Sequence, residues 1–266
     1  MATTVQTAAT KRVPKDPTRK TSLVAGIFYL ITFVSIPTLA PPLALYSSVT
    51  GKDFIISSGT DTAALWGGFL EVIVALAGIG TAITLYPVVK RQNQGMALGF
   101  VASRTLEAAM LFTGVASILS LVTLHQDLGT AAGADAASLA AIGASHVATY
   151  HWAFTLGGSL MPGINAILLG TLLYRSGLVP RVIPAIGLLG AALHLTAVAL
   201  TIFGIVDRVG TTTKIAVIPI GVWELSLGIY LIVKGFKPCP ITDAIREDAD
   251  AIREDANPPA IRELVA

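Results

Sequence analysis

Residues 63–89 have the sequence AALWGGFLEVIVALAGIGTAITLYPVV, an apolar stretch that contains one charged residue, Glu71, and is followed at once by Lys90 and Arg91. A helix needs about 20 mostly apolar residues to cross a hydrocarbon layer of about 30 Å, and this stretch is long enough. Five more apolar stretches are of comparable length. We therefore expect an all-α polytopic membrane protein with six transmembrane helices, at 22–46, 63–89, 96–124, 147–174, 182–206 and 215–235.

The composition supports a membrane protein. Apolar residues make up 53% of the 266 residues and charged residues only 13%, about half the charged fraction of a soluble globular domain. No basic stripe with interleaved aromatic residues occurs, so a nucleic-acid partner is not expected. The single cysteine, Cys239, allows neither an intrachain disulfide nor a cysteine-based metal site. We expect no cofactor and no bound metal, and the lipid bilayer is the one partner that the composition requires.

The charged residues divide the chain into three parts. We expect a basic, irregular segment at 1–21, the six-helix domain at 22–237 and a tail at 238–266. Basic residues collect on the cytoplasmic side of membrane proteins. If the N-terminus is cytoplasmic, three basic residues lie outside, and eleven lie inside: Lys11, Arg12, Lys15, Arg19, Lys20, Lys90, Arg91, Arg175, Arg181, Lys234 and Lys237. Both termini are therefore predicted to be cytoplasmic.

The tail contains a tandem repeat. Residues 243–249 read DAIREDA, and residues 250–256 repeat them without change. In a helix, the seven-residue spacing places Ile245 and Ile252 on one face. This pattern favours a short solvated helix, and it also allows a weak coiled-coil or a docking segment for a protein partner. The oligomeric state does not follow from the sequence.

Several ionisable and polar residues lie inside the predicted spans. Burying such groups costs several kcal/mol unless they are paired or hydrated, which makes them candidates for a functional site. A rise of 1.5 Å per residue places five of them within about one helical turn in depth, with Glu71 about 6 Å further out than the midplane and His151 nearer the outer face. The five are Arg104, Glu107, Asn165, His194 and Glu224.

Two interpretations of this cluster remain open. As a structural staple, Arg104 pairs with a glutamate and the other groups hydrogen-bond across the helices. As a functional site, three glutamates against one arginine require a proton, a cation or a cationic solute. The second interpretation predicts a small transporter or channel, and the first predicts a non-catalytic assembly or accessory subunit. A lipid-directed enzyme with His151 or Glu71 as base is a third candidate, but no nucleophile is evident.

Seven short motifs lie along 23–237: LYP at 85–87, RxxE at 104–107, HWAF at 151–154, LLYR at 172–175, LVPR at 178–181, WE at 223–224 and VKGF at 233–236. In their order and spacing they resemble a bacterial six-helix membrane family known as domain of unknown function 4386. The resemblance implies a six-helix fold in the plasma membrane and includes Arg104, Glu107, His151 and Glu224 in the family pattern. It implies no activity, because the family has none assigned.

Overall fold

A computed structural model describes residues 16–35, 45–47, 49–50, 54, 61–128 and 135–256. These residues are almost entirely helical and contain no strand. The helices are α1 (Pro17–Ile31), α2 (Thr62–Val89), α3 (Gln94–Leu128), α4 (Ala136–Phe154), α5 (Met161–Ser176), α6 (Val182–Ile202), α7 (Thr211–Val233) and α8 (Pro240–Ala256). A 3₁₀ turn at Thr32–Ser35 extends α1, and a π-helical stretch at Thr155–Leu160 joins α4 to α5.

Within the described residues, five helical segments are long and apolar enough to cross a membrane: Thr62–Val89, Gln94–Asp127, Ala137–Ser176, Val182–Ile202 and Thr211–Val233. They confirm the second to sixth predicted spans. Large apolar side chains such as Ile83, Val182 and Leu189 are more than half exposed, as lipid-facing residues of a multi-pass membrane protein are. Of the predicted first span, residues 22–35 form α1 and the 3₁₀ turn, and residues 36–44 lie outside the described residues.

The predicted boundary at residue 22 falls inside α1, which begins at Pro17. The Asp16 side chain caps this helix by accepting a hydrogen bond from the Thr18 N–H at 2.9 Å, and Pro17 occupies the first helical position. Partial burial would raise the pKa of the Asp16 carboxyl, but hydrogen bonds from Arg246 and Thr18 outweigh this effect and hold the pKa below its usual range. Capping therefore starts the helix before the apolar run begins.

The predicted spans 96–124 and 147–174 leave residues 125–146 as a connecting loop, but this region is largely helical where it is described, because α3 continues to Leu128 and α4 begins at Ala136. Asp135 caps α4, and hydrogen bonds from the Ser138 hydroxyl and from the Ala137 and Ser138 N–H groups hold its pKa below the usual value. The fourth predicted span thus belongs to a helical segment of 40 residues that includes the π-helical stretch. Residues 125–146 contain no Lys or Arg, which is compatible with a helix as well as with a loop.

Six helices pack in a closed ring in the order α1, α2, α3, α5, α6, α7 and back to α1, with α4 packed against α3 outside the ring. Helices α1 and α7 approach closely at Gly26, where an added Cβ would lie 2.7 Å from the Gly228 carbonyl oxygen. Gly177 ends α5 in the left-handed conformation, at a φ of 69°. The largest apolar cluster lies inside the ring and contains Leu85, Phe100, Leu169, Trp223 and Leu227.

Helix α8 docks at the end of the ring where α1 begins and α7 ends, which we call the tail end. Ile245 packs against the main apolar cluster, and Arg246 binds Asp16 at 2.9 Å. Asp248 binds Arg91, in the turn after α2, at 2.6 Å. These contacts all involve the first copy of the repeat, whereas Ile252 of the second copy is 69% exposed.

Candidate intramembrane polar site

Arg104 lies at the centre of the polar site. It shares one face of α3 with Glu107, and its Nη1 atom lies 3.0 Å from Glu107 Oε2. Its Nη2 atom lies 2.7 Å from Oε1 of Glu224, which α7 brings across the ring. The exposed fraction of the side chain is 3% for Arg104, and the values for the two glutamates are 10% and 15%. One buried guanidinium therefore binds two carboxylates and joins two helices that are distant in sequence.

Asn165 extends this group to a third helix. Its amide Nδ2 in α5 donates to Glu107 Oε2 at 2.6 Å. Glu107 thus binds both Arg104 and Asn165, while Glu224 binds Arg104 alone among these residues. We call Arg104, Glu107, Asn165 and Glu224 the Arg104 network. The predicted coincidence in depth of these four residues is matched by direct contacts.

The surroundings of Arg104 are aromatic and tightly packed. Its guanidinium carbon lies 5.7 Å from the ring centroid of Tyr29 in α1 and 5.9 Å from that of Phe100 in α3. Rings at this distance attract a cation through their π electrons. Gly78 of α2 lies beside Arg104, and a Cβ there would make an ordinary van der Waals contact with Arg104 Cδ at 3.8 Å. Four helices of the ring, α1, α2, α3 and α7, therefore meet at this one side chain, and α5 joins them through the Asn165–Glu107 hydrogen bond.

His194, which the sequence placed at the same depth, is not hydrogen-bonded to the Arg104 network. Its Nε2 lies 2.8 Å from the backbone carbonyl oxygen of Ser159, so Nε2 carries the proton of this hydrogen bond. Ser159 belongs to the π-helical stretch, the irregular part of the long helical segment. His194 Nδ1, Asn165 Oδ1 and Arg104 Nε are buried and have no hydrogen-bond partner within the described part of the chain.

Glu71 forms a separate site. Its Oε2 lies 3.3 Å from the Tyr46 hydroxyl and its Oε1 lies 3.4 Å from the Tyr150 hydroxyl. Gly78, beside Arg104, follows Glu71 by two helical turns, a rise of about 10 Å along α2. We call Glu71, Tyr46 and Tyr150 the Glu71 site. The sequence placed Glu71 further out than the other residues, but it gave no signal that two tyrosines would be its partners.

His151 belongs to neither group. Its ring contacts that of Tyr150 at a centroid distance of 5.8 Å and is partly buried. Its backbone carbonyl accepts a hydrogen bond from the Thr155 hydroxyl at 2.7 Å, at the start of the π-helical stretch. The contact to Tyr150 places His151 beside the Glu71 site, without a hydrogen bond to Glu71 in the described residues. Its inclusion in the candidate site stays a prediction.

Two grooves lie on the outside of the bundle, between α3 and α4, with volumes of about 590 Å³ and 380 Å³. Asp127 and His146 line the first, and Met110 and Trp152 line the second. Neither groove includes a residue of the Arg104 network. No group of three or more His, Cys, Asp or Glu side chains suited to a metal ion occurs within the described residues. The ionisable groups that these buried sites offer are carboxyls held by a guanidinium, an amide or tyrosine hydroxyls.

Residues 24–235 match the family described as Domain of unknown function (DUF4386). The chain belongs to this family. The match runs from α1 to the end of α7 and includes the Arg104 network and the Glu71 site, and it excludes α8 with both copies of the repeat. The resemblance seen in the short motifs is thereby confirmed. No curated protein and no solved structure matches the chain.

Proposed function

We propose that this DUF4386 member is a small transporter-like membrane protein that binds a proton or a small cation at the Arg104 network. The observation that carries this proposal is the imbalance of charge around one buried guanidinium. Glu107 and Glu224 both bind Arg104, so the ionised network has a net charge of −1. A buried charge without compensation is costly, and a proton or a cation removes that cost.

We propose a topology in which six helices cross the plasma membrane and both termini lie in the cytoplasm. Helix α1 supports the count, because it completes the ring between α2 and α7. The basic residues near the tail end support the orientation under the positive-inside rule: Lys90, Arg91, Arg175, Arg181, Lys234 and Lys237. The tail end is then cytoplasmic, and the Glu71 site lies toward the outer side.

Glu224 is the carboxyl that we expect to exchange the proton or cation. Its side chain is 15% exposed, against 10% for Glu107. Glu107 also binds Asn165, whereas Glu224 is held only by Arg104 within the network. Neutralising Glu224 weakens the link between α3 and α7 and leaves the Arg104–Glu107 pair in place. Such a change in one interhelical link is a means of coupling ion binding to helix movement.

A flux measurement tests this proposal. The purified chain is placed in liposomes that contain a pH-sensitive dye, and uptake is followed under an imposed pH gradient or membrane potential. A Na⁺- or K⁺-sensitive dye in place of the pH-sensitive dye measures cation flux. We expect flux with the unmodified chain and at least a tenfold loss with Glu224→Gln, because the amide cannot be deprotonated.

The matched control is Glu247→Gln, the same substitution at an exposed position of the tail helix. It should leave the flux unchanged. Measuring melting temperatures in detergent checks that both variants are folded. An unmodified chain without proton or cation flux would contradict the proposal, and so would normal flux in folded Glu224→Gln.

The second candidate is a non-catalytic assembly or accessory subunit in which the Arg104 network is a structural staple. The pairing of Arg104 with two carboxylates favours it, as does the position of both grooves away from the network. Glu107→Gln and Glu224→Gln would then lower expression and thermal stability without any flux to lose. Deleting residues 240–266 would release a co-purifying protein if the tail is the docking segment.

A further inference from the structure

Glu71 is a buried acid that the proposed mechanism does not use. Its exposed fraction is 2%, and it lies within the apolar helix α2. Each carboxyl oxygen lies close to one tyrosine hydroxyl, Tyr46 from the segment before α2 and Tyr150 from α4. Gly67, one turn before Glu71, allows this approach, since a Cβ there would lie 2.5 Å from the Tyr46 ring. The tyrosine is thus packed directly onto the helix that carries the acid.

The charged groups around Glu71 do not balance a carboxylate within the described residues. Tyr46 and Tyr150 are neutral donors, and the residues of α3 at this level, Leu111 and Val115, do not titrate. Arg208 interacts electrostatically with Tyr150, but it forms no ion pair with Glu71. A carboxyl buried without a cation takes up a proton rather than bear the cost of desolvating its charge.

The hydrogen-bond geometry also suits the neutral acid. A protonated carboxyl donates one hydrogen bond and accepts another, and two hydroxyls supply one acceptor and one donor. Bonds from a hydroxyl to an ionised carboxylate are short, about 2.5–2.7 Å. The distances of 3.3 Å and 3.4 Å to the tyrosine hydroxyls are longer than that.

An apolar layer separates Glu71 from the Arg104 network. Ala75, Ala108 and Leu111 form a small buried cluster between α2 and α3. Gly68 lies beside Val115 and Gly78 beside Arg104, so this cluster occupies the levels between the two sites. The Glu71 site is therefore a second polar centre and not an extension of the first.

We propose that Glu71 is a separate proton-binding site, in which the carboxyl carries a proton at neutral pH, shares it with the hydroxyls of Tyr46 and Tyr150, and releases it at alkaline pH. This proposal does not depend on transport through the Arg104 network. If that network does carry protons, the Glu71 site supplies a second binding position about two helical turns away.

Infrared spectroscopy of the full-length protein in detergent tests this inference. The difference spectrum between the unmodified chain and Glu71→Gln at neutral pH should show the loss of one carboxylic C=O stretching band. Glu107→Gln and Glu224→Gln are the matched controls and should retain that band. Raising the pH should replace it with a carboxylate band in the unmodified chain and in both controls, and should leave Glu71→Gln without this change.

Tyr150→Phe provides a test that keeps the acid itself in place. Removal of one hydroxyl should shift the C=O band without abolishing it, and Tyr46→Phe should do the same. Loss of a carboxylate band in Glu71→Gln at neutral pH would overturn the proposal, because Glu71 would then be ionised. A C=O band that neither tyrosine substitution shifts would overturn it as well. Neither result bears on whether Glu224→Gln abolishes flux.

Discussion

The Arg–carboxylate pairs inside the ring and those at the tail end have nearly the same geometry. Arg104 lies 2.7 Å from Glu224, and Arg91 lies 2.6 Å from Asp248. Their exposures differ: the side chains of Arg104 and Glu224 are 3% and 15% exposed, against 34% and 61% for Arg91 and Asp248. Water and salt weaken an exposed pair, and a buried pair is hardly screened. Distance alone therefore does not predict which contact matters more for stability, whereas burial does.

Burial also changes what remains when one partner is removed. An exposed residue that loses its partner returns to water, and such pairs contribute about 0–1 kcal/mol. A buried residue that loses its partner remains as an uncompensated charge, at a cost of about 3–5 kcal/mol. Arg104 is the extreme case, because its loss leaves both Glu107 and Glu224 without their guanidinium.

The largest effect is expected for Arg104→Gln. Two buried carboxylates lose their cation, and the free energy of unfolding should fall by about 3–5 kcal/mol. The melting temperature in detergent checks this, with Arg91→Gln as the matched control at an exposed pair. Equal melting temperatures for the two variants would show that burial is not the deciding difference.

An intermediate effect is expected for Ile245→Ala in the tail helix. Ile245 packs against the main apolar cluster, whereas the equivalent Ile252 of the second repeat is 69% exposed. Because Ile245 is only partly buried, its truncation should weaken the free energy of α8 docking by about 1 kcal/mol, and Ile252→Ala should leave that free energy almost unchanged. Limited proteolysis of the tail measures release of α8. Equal cleavage rates in both variants would mean that the two copies are equivalent in solution.

The smallest effect is expected for the Asp16–Arg246 pair at the tail end. The pKa of Asp16 is held below its usual value in the folded state. The contribution of Asp16 to stability is therefore present above the usual pKa of about 3.9, and it is lost as the pH falls through the lowered folded-state pKa. The loss should be at most about 1 kcal/mol and should shrink in high salt. Proteolysis of the tail between neutral and acidic pH detects it, and Asp16→Asn should remove this pH dependence.

Local sequence patterns predicted much of the fold. The second to sixth spans follow from the lengths of the apolar runs, and Arg104 and Glu107 are three residues apart and so share a helix face. The predicted start at residue 22 was wrong, because it follows the apolar run alone, whereas the Asp16 cap and Pro17 begin α1 earlier. The helical segment that includes Ser138 and His146 was also missed, because residues 125–146 lie between two apolar runs, and their lack of Lys and Arg does not distinguish a loop from a helix.

The pairings between helices required the tertiary structure. Depth along each helix placed Asn165, His194 and Glu224 near Arg104, but depth does not specify the direction in which a side chain points around the helix axis. Asn165 and Glu224 point toward Arg104 and bind within its network, while His194 binds the Ser159 carbonyl instead. Glu71 has two tyrosines as partners, one of them 79 residues away in sequence.

The repeat in the tail shows most clearly what the sequence determined and what the tertiary structure determined. The sequence by itself determined that residues 243–249 and 250–256 have the same composition, the same seven-residue spacing and the same tendency to form a helix. Only the tertiary structure decided that Ile245 packs and Ile252 stays exposed. The reason is physical: the first copy follows α7 closely enough to reach Asp16, Arg91 and the apolar cluster, and the second copy extends beyond them.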